Sequence, residues 1–175
     1  MIVRKNIILM GFMGTGKSAT GRLVAKRLDR QLVDMDTEIE RRERRKISDI
    51  FSRDGEPYFR RVERDVVKEL CERKNLVVAT GGGVVINPEN VRDFSRTGVV
   101  ICLSATPSVI LRRVAAETHR PLIEDGEKAR HITDLLDIRK PLYDAIPNQI
   151  DTTRLSPELA ANRVIEIYER TVVDA

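Results

Sequence analysis

The stretch Gly11-Phe12-Met13-Gly14-Thr15-Gly16-Lys17-Ser18 has the spacing G-x-x-x-x-G-K-[ST]. Glycines let backbone N–H groups turn inward with no Cβ in the way, and the N-terminus of a following helix adds unpaired donors of its own. Such a loop surrounds phosphate oxygens. Lys17 then supplies a point charge to the β- and γ-phosphates of a nucleotide, and the Ser18 hydroxyl suits Mg2+. Gly14, Thr15, Gly16, Lys17, Ser18 and Ala19 are the expected nucleotide contacts. A second candidate follows in Leu32-Val33-Asp34-Met35-Asp36, where two carboxylates flank one methionine. Like charges this close are unfavourable unless something positive answers them. Asp34, at the end of a strand beside the loop strand, would hold Mg2+ through its water shell. In an extended segment Asp36 faces the same way, farther out, toward a phosphoryl acceptor. A solvated turn or helix cap is the plain alternative for the pair.

The elements that must position these groups can be read from the apolar pattern. Ile7 to Met10 is a continuous apolar run and predicts a buried strand; Ser18 to Leu28 has a helical stripe in Ala19, Leu23, Val24 and Leu28. Gln31 to Asp34 predicts a strand, Thr37 to Arg45 a charged helix, and Ser48 the cap of a brief helix that stops at Gly55. Tyr58 to Arg73 is helical, with Phe59, Val62, Val66 and Leu70 on one face. Leu76 to Thr80 and Val99 to Leu103 predict strands, and Thr106-Pro107 opens a helix through Val114. Thr118 to Arg130 has no period and predicts a mobile loop. Ile132 to Tyr143 is helical and expected to be disturbed at Pro141; Gln149 to Asp151 is a weak strand, and Ser156-Pro157-Glu158 caps a last helix ending near Tyr168. Strands alternating with helices give an α/β fold with a parallel sheet and right-handed crossovers.

Composition agrees. The 175 residues are 41% hydrophobic but only 4% aromatic, with no tryptophan, so the core is built from aliphatic side chains, as in a parallel sheet covered by helices. A net charge of +4 suits an anionic ligand and suits an ordinary soluble protein equally. Cys71 and Cys102 have no metal or disulfide spacing and read as structural thiols of a reducing compartment; His119 and His131 show no ligand spacing. The apolar run of the N-terminus ends at Gly11, too early for a signal or a span, so the expectation is a cytoplasmic protein with no membrane partner. The cluster Arg41, Arg42, Arg44, Arg45 and Lys46 is most simply a solvated face; without interleaved aromatics it gives no case for nucleic acid. Asn-Lys-x-Asp and Asp-x-x-Gly are absent, which argues against a GTPase, and Gly11-Phe12-Met13-Gly14 lacks the proline of an adenylate-kinase-type loop.

The segments IILMGFMGTGKSATGRLVAKRL, VDMDTEIE, SDIFSRDGEPYFRRVE, ATGGGVV, RPLI and IRKPLY, in this order from about residue 6 to 157, resemble the shikimate kinase family. The resemblance implies one P-loop kinase domain over residues 1–175, with the three-layer P-loop NTPase fold. Its five-stranded parallel sheet is flanked by helices in the nucleoside-monophosphate-kinase-like manner. A substrate-binding helical region would span about 37–73 and a lid about 115–130. It implies transfer of the γ-phosphoryl of ATP to the 3-hydroxyl of shikimate, giving shikimate 3-phosphate and ADP, with Mg2+, in a cytoplasmic monomer of the chorismate route to aromatic amino acids.

Residue by residue, the resemblance makes Asp34 the Mg2+-associated aspartate, with Ser18 as the other ligand. Asp36 becomes the carboxylate that bonds the ring hydroxyls and takes the attacking proton. Arg60 and Arg139 bind the substrate carboxylate, for which a guanidinium fork is suited. Gly81, Gly82 and Gly83 contact the ring and Thr80 lies near the metal. Arg120 is delivered by the lid, Arg113 lines the nucleotide site, and Arg154 belongs to the adenine-side loop. Arg60 has a plain alternative in surface pairs with Glu56 and Glu63 at helical spacing, and Arg139 in a solvated helix charge. Gly81–83 has one in a simple turn, and Ser156-Pro157 in a helix cap. Where many members carry a glycine, this chain reads Glu43-Arg44-Arg45-Lys46-Ile47, which bears on the turn between the substrate-binding helices and not on the catalytic residues. The competing functions are a kinase of another small polyol, such as gluconate, and a regulator that binds ATP without transferring phosphate.

Overall fold

The computed structural model describes residues 5–118 and 126–173. Its centre is a five-stranded parallel sheet of β1 (Asn6–Met10), β2 (Gln31–Asp34), β3 (Leu76–Ala79), β4 (Gly98–Ser104) and β5 (Asn148–Asp151). The spatial order is β2-β3-β1-β4-β5, and every neighbouring pair is parallel. Helices α1 (Lys17–Leu28), α2 (Met35–Glu43), α3 (Ile47–Glu72), α4 (Pro88–Thr97), α5 (Pro107–Thr118), α6 (Gly126–Asp144) and α7 (Pro157–Val173) supply the crossovers and covers. Alternate strand residues point to opposite faces, so the sheet has two cores. Ile8, Met10, Val78, Val100 and Cys102 pack with Met35, Val66, Phe94 and Ile132 on one side. Ile7, Leu9, Val77, Ile101 and Leu103 pack with Val24, Val164 and Tyr168 on the other. This is the expected three-layer α/β fold.

Several boundaries differ from the pattern reading. β3 lies between β1 and β2, so Asp34 is not on the strand beside the loop strand. Chain order says nothing about that insertion. α2 starts at Met35, and the Asp34 carboxylate caps it by accepting from the Thr37 N–H at 3.3 Å. Asp36 is therefore in a first helical turn rather than on an extended segment, while Met35 is fully buried as packing. α3 is two helices joined at Gly55 (φ 79°, ψ 171°), the expected stop. Its start is capped by Glu40, whose carboxylate accepts from the Ile47 N–H at 3.1 Å, not by Ser48. α4 has no counterpart in the pattern reading, although Asn87-Pro88-Glu89 is a helix start: the Asn87 side chain accepts from the Glu89 N–H at 3.0 Å. α6 begins at Gly126, so 126–130 are helical rather than loop, and it runs through Pro141 to Asp144. α7 continues past Tyr168 to Val173. Arg120, His119 and residues 119–125 of the expected lid lie outside the described residues.

The basic cluster is answered by carboxylates. Arg41 pairs with Glu38 (2.6 Å), Lys46 with Glu40 (2.8 Å), Arg45 with Asp54 (2.5 Å) and Arg42 with Glu69. Arg44 ends α2 in the left-handed region at φ 54°, ψ 32°, with its N–H on the Glu40 carbonyl. The turn is kept, at a conformation a glycine would adopt without Cβ strain. Among the described residues, no helix is long and apolar enough to cross a membrane.

Candidate active site

The loop between β1 and α1 sits at the carboxyl end of the sheet. Gly16 takes φ 94° at the head of α1, a left-handed turn that aims the helix N-terminus back at the loop. Lys17, 9% exposed as a residue, donates from its ammonium to the Phe12 carbonyl at 2.8 Å, and Thr15 Oγ1 donates to the same oxygen at 2.7 Å. The lysine is thus held over the loop. Ser18 Oγ donates to Asp34 Oδ2 at 2.6 Å. This bond, reaching across β3, brings Asp34 to the loop that sheet order had seemed to deny it. Thr80 Oγ1, on the Leu9 carbonyl at 3.1 Å, continues the polar floor. A cavity of about 210 Å³ opens here, lined by Lys17, Ser18, Asp34, Asp36, Thr80 and Gly82 among others. Ser18 and Asp34 offer hard oxygens of the kind Mg2+ takes. The described residues contain no group of three or more His, Cys, Asp or Glu side chains fit to hold a metal unaided. Such a donor set fits an ion that shares its shell with water and substrate phosphates.

A second cavity of about 270 Å³ lies on the other side of the loop, between Gly14, Gly16, Ala19 and the Ser156-Pro157 corner. Arg113 lines it, donating to the Gly14 carbonyl (3.2 Å) and to Thr152 Oγ1 and O (3.0 and 2.8 Å). Arg154 is exposed and does not line this cavity; Ser156 Oγ accepts from the Leu159 N–H at 3.3 Å, so the helix-cap reading of Ser156-Pro157 holds as well.

A second group of side chains converges from α2, α3, the loop after β3 and α6. A Cβ built on Gly81 would lie 2.8 Å from Asp36 Oδ1 and 3.4 Å from Glu63 Oε1. One built on Gly83 would fall 2.4–2.7 Å from the Arg60 guanidinium. Any side chain at Gly83 would push that cation from its place against the backbone. The glycine run is therefore where Asp36, Glu63 and Arg60 converge, rather than a plain turn. Arg60 does pair with Glu56 and Glu63, as helical spacing suggested, at 2.9 Å each. The surface character of the pairing fails for Glu63, whose side chain is 2% exposed. A buried carboxylate must be paired, and here it holds Arg60 against the glycines. The signal for Glu63 was available: a charge beside the apolar stripe of Phe59, Val62 and Val66.

Burial, then the Asp34 charge, raises the Asp36 carboxyl above the ordinary carboxylate value, although Lys17 and Arg60 act to lower it. Burial also raises Glu63, outweighing Arg60; Arg139 acts on the same carboxylate. For Arg60, burial works against the charge, but Glu63 and Glu56 outweigh it and hold the guanidinium above its usual value. Arg139 also lies 6.0 Å from the Phe12 ring centre, between the phosphate loop and this second group. Cys102, buried in the core, is pushed up to about 11, chiefly by burial, and is chemically inert at neutral pH.

The family model described as shikimate kinase matches residues 13–169. The chain belongs to the shikimate kinase family. A shikimate kinase of Thermodesulfovibrio yellowstonii is 45% identical over 166 residues, covering 95% of this chain and 96% of that one. Among solved structures, the shikimate kinase of Acinetobacter baumannii in complex with shikimate superposes with a TM-score of 0.84. The two are 34% identical, with 99% of this chain and 96% of that one covered. A gluconokinase of Sinorhizobium meliloti matches at a TM-score of 0.61 with 14% identity, over 100% of this chain and 99% of that one, which is a likeness of fold alone.

Proposed function

We propose that this chain transfers the γ-phosphoryl of ATP to the 3-hydroxyl of shikimate, giving shikimate 3-phosphate and ADP, on the chorismate route to aromatic amino acids. The observation that carries the reading is the position of Asp36. It borders the phosphate cavity beside Lys17 and touches the glycine run against which Arg60 is packed. Cations on one side and a carboxylate on the other suit a ring that bears a carboxylate at one end and hydroxyls at the other.

In this reading the acceptor carboxylate binds the forks of Arg60 and Arg139, and Gly81, Gly82 and Gly83 let the ring approach the backbone. Asp36, with its raised proton affinity, orients the 3-hydroxyl and takes its proton as the oxygen attacks. Lys17 leaves the Phe12 carbonyl for the β- and γ-phosphate oxygens and stabilises the charge that builds there, while Thr15, Gly14, Gly16 and Ala19 hold the phosphates by backbone. Ser18 and Asp34 would hold Mg2+, which supplies charge neutralisation across the phosphate oxygens when bound. Arg113 and the Ser156-Pro157 corner flank the nucleotide base, with Arg154 at the edge. Residues 37–73 carry the acceptor side of the single domain. The lid at about 115–130 would bring Arg120, outside the described residues, to the transferring group. The protein works as a monomer in the cytoplasm.

An ADP-release assay with shikimate, gluconate, quinate or no acceptor tests the function. Release stimulated by shikimate well above the other arms is expected. Equal stimulation by gluconate would make this a general polyol kinase, and ATP binding with no acceptor-dependent release would make it a regulator; either overturns the proposal.

A further inference from the structure

Tyr143 lies one helical turn beyond Arg139 on α6 and is 5% exposed. Its phenolic O–H donates to the Gly82 carbonyl at 2.5 Å. The ring meets Phe12 of the phosphate loop edge-on, with centroids 6.4 Å apart and planes at 79°. Its own carbonyl accepts from Gln149 Nε2 at 2.8 Å, which ties this end of α6 to β5. Burial pushes the phenol up to about 12, against the lowering effect of Arg139, so the oxygen keeps its proton through the neutral range.

A buried tyrosine is ordinarily a packing residue whose O–H takes whatever acceptor is near. Here the acceptor is the middle carbonyl of the glycine run that meets Asp36 at Gly81 and Arg60 at Gly83. The peptide between Gly82 and Gly83 is planar and trans, so a Gly82 carbonyl anchored toward α6 turns the Gly83 N–H the opposite way. That N–H has no hydrogen bond among the described residues. Three consecutive glycines have no side chains to restrain their backbone, and the restraint must come from outside the run. Tyr143 supplies one from a helix that also carries a substrate-side arginine.

We propose that Tyr143 is a positioning residue for the phosphoryl acceptor. Its O–H on the Gly82 carbonyl sets the orientation of the glycine run, and through it the Gly83 N–H and the Arg60 guanidinium packed on Gly83. The proposal rests on the shikimate reading of the site. It adds a residue that touches no reacting atom, distinct from Arg139 beside it.

Tyr143→Phe keeps the ring and its contact with Phe12 and deletes the O–H alone. Steady-state kinetics of the variant should show a shikimate KM raised about 3- to 10-fold, the size of one hydrogen bond between neutral groups. The ATP KM should stay within about twofold of the parent value, since the ring contact with the phosphate loop survives. Tyr143→Leu, which removes the ring as well, should raise both KM values and lower the melting temperature. A Tyr143→Phe protein with a lower melting temperature and an unchanged shikimate KM would make the O–H structural only and overturn the proposal. Equal rises in both KM values would also overturn it. If the parent shows shikimate-dependent ADP release and Tyr143→Phe matches it, the positioning role alone fails. A parent with no such release defeats the reading of the site and this role with it.

Discussion

The two sides of the cleft are built on opposite plans. The phosphate side is one continuous stretch, Gly11 to Ser18, in which Lys17 and Thr15 both bond the Phe12 carbonyl, with Arg113, Thr152 and Asp34 bonded to it from outside. The acceptor side takes Asp36 from α2, Arg60 and Glu63 from α3, glycines from the loop after β3, and Arg139 from α6. A cradle made of one stretch takes its shape first from its own backbone conformation. A distributed site depends on the packing of every element that contributes to it, and its charges must be balanced across long sequence separations. Substitutions on the acceptor side should therefore separate acceptor terms from nucleotide terms.

The largest separation is expected at Asp36. Asp36→Asn removes the proposed base and should lower turnover about 10²- to 10⁴-fold, the usual range for losing general base catalysis. ATP affinity measured by calorimetry should remain close to the parent's. A parallel collapse of ATP binding would mean that the two sides are not separable. Next comes Arg139→Ala, with an expected loss of roughly 1.5–3 kcal/mol in shikimate binding, about 10- to 150-fold in KM. An unchanged shikimate KM and Kd would remove Arg139 from the site.

A smaller effect concerns pH. The Asp36 carboxyl is raised in the folded protein, first by burial and then by Asp34, so the folded state favours its protonated form. Its stability contribution is full below the unfolded value and is lost as pH rises through the folded one. Asp36→Asn should accordingly melt higher than the parent at neutral pH, with the gain shrinking as pH falls below the folded value. In the parent, turnover should fall on the acid side through that same raised value. A melting gain that grows toward acid would contradict the sign. The smallest effect lies outside both sides of the cleft. Arg44→Gly relieves a left-handed residue at the end of α2 and should stabilise the fold by about 0.5–1 kcal/mol, less than the full left-handed cost because glycine has more freedom to lose. Denaturant melts would show it, and turnover should not change.

The same contrast explains what the sequence made legible. The phosphate loop, the strands and most helices depend on neighbours close in the chain, and they were read with small boundary errors. The neighbour of β1 was not, because nothing local says that β3 inserts between β1 and β2. Asp34 reached the loop by a different route, through the Ser18 hydroxyl. Asp36 was assigned to the cleft by an extended-strand argument, yet it sits there from a helix's first turn. α4 was missed although Asn87-Pro88-Glu89 announced it. Arg60 and Arg139 were assigned only through resemblance, since an arginine on a helix is more often solvated. Glu63 is legible only as a charge beside the apolar stripe of α3, and Tyr143 not at all, because its partner, the Gly82 carbonyl, is distant in sequence.

In the proposed reading Asp34 and Asp36, two residues apart, serve different partners. This division is tested most directly by titrating Mg2+ against initial rate for Asp34→Asn and Asp36→Asn side by side, at fixed ATP and at several shikimate concentrations. Asp34→Asn should raise the Mg2+ concentration giving half-maximal rate and leave the shikimate KM near the parent's. Asp36→Asn should lower the maximal rate with no change in the Mg2+ midpoint. Equal Mg2+ midpoint shifts in both variants would contradict the division.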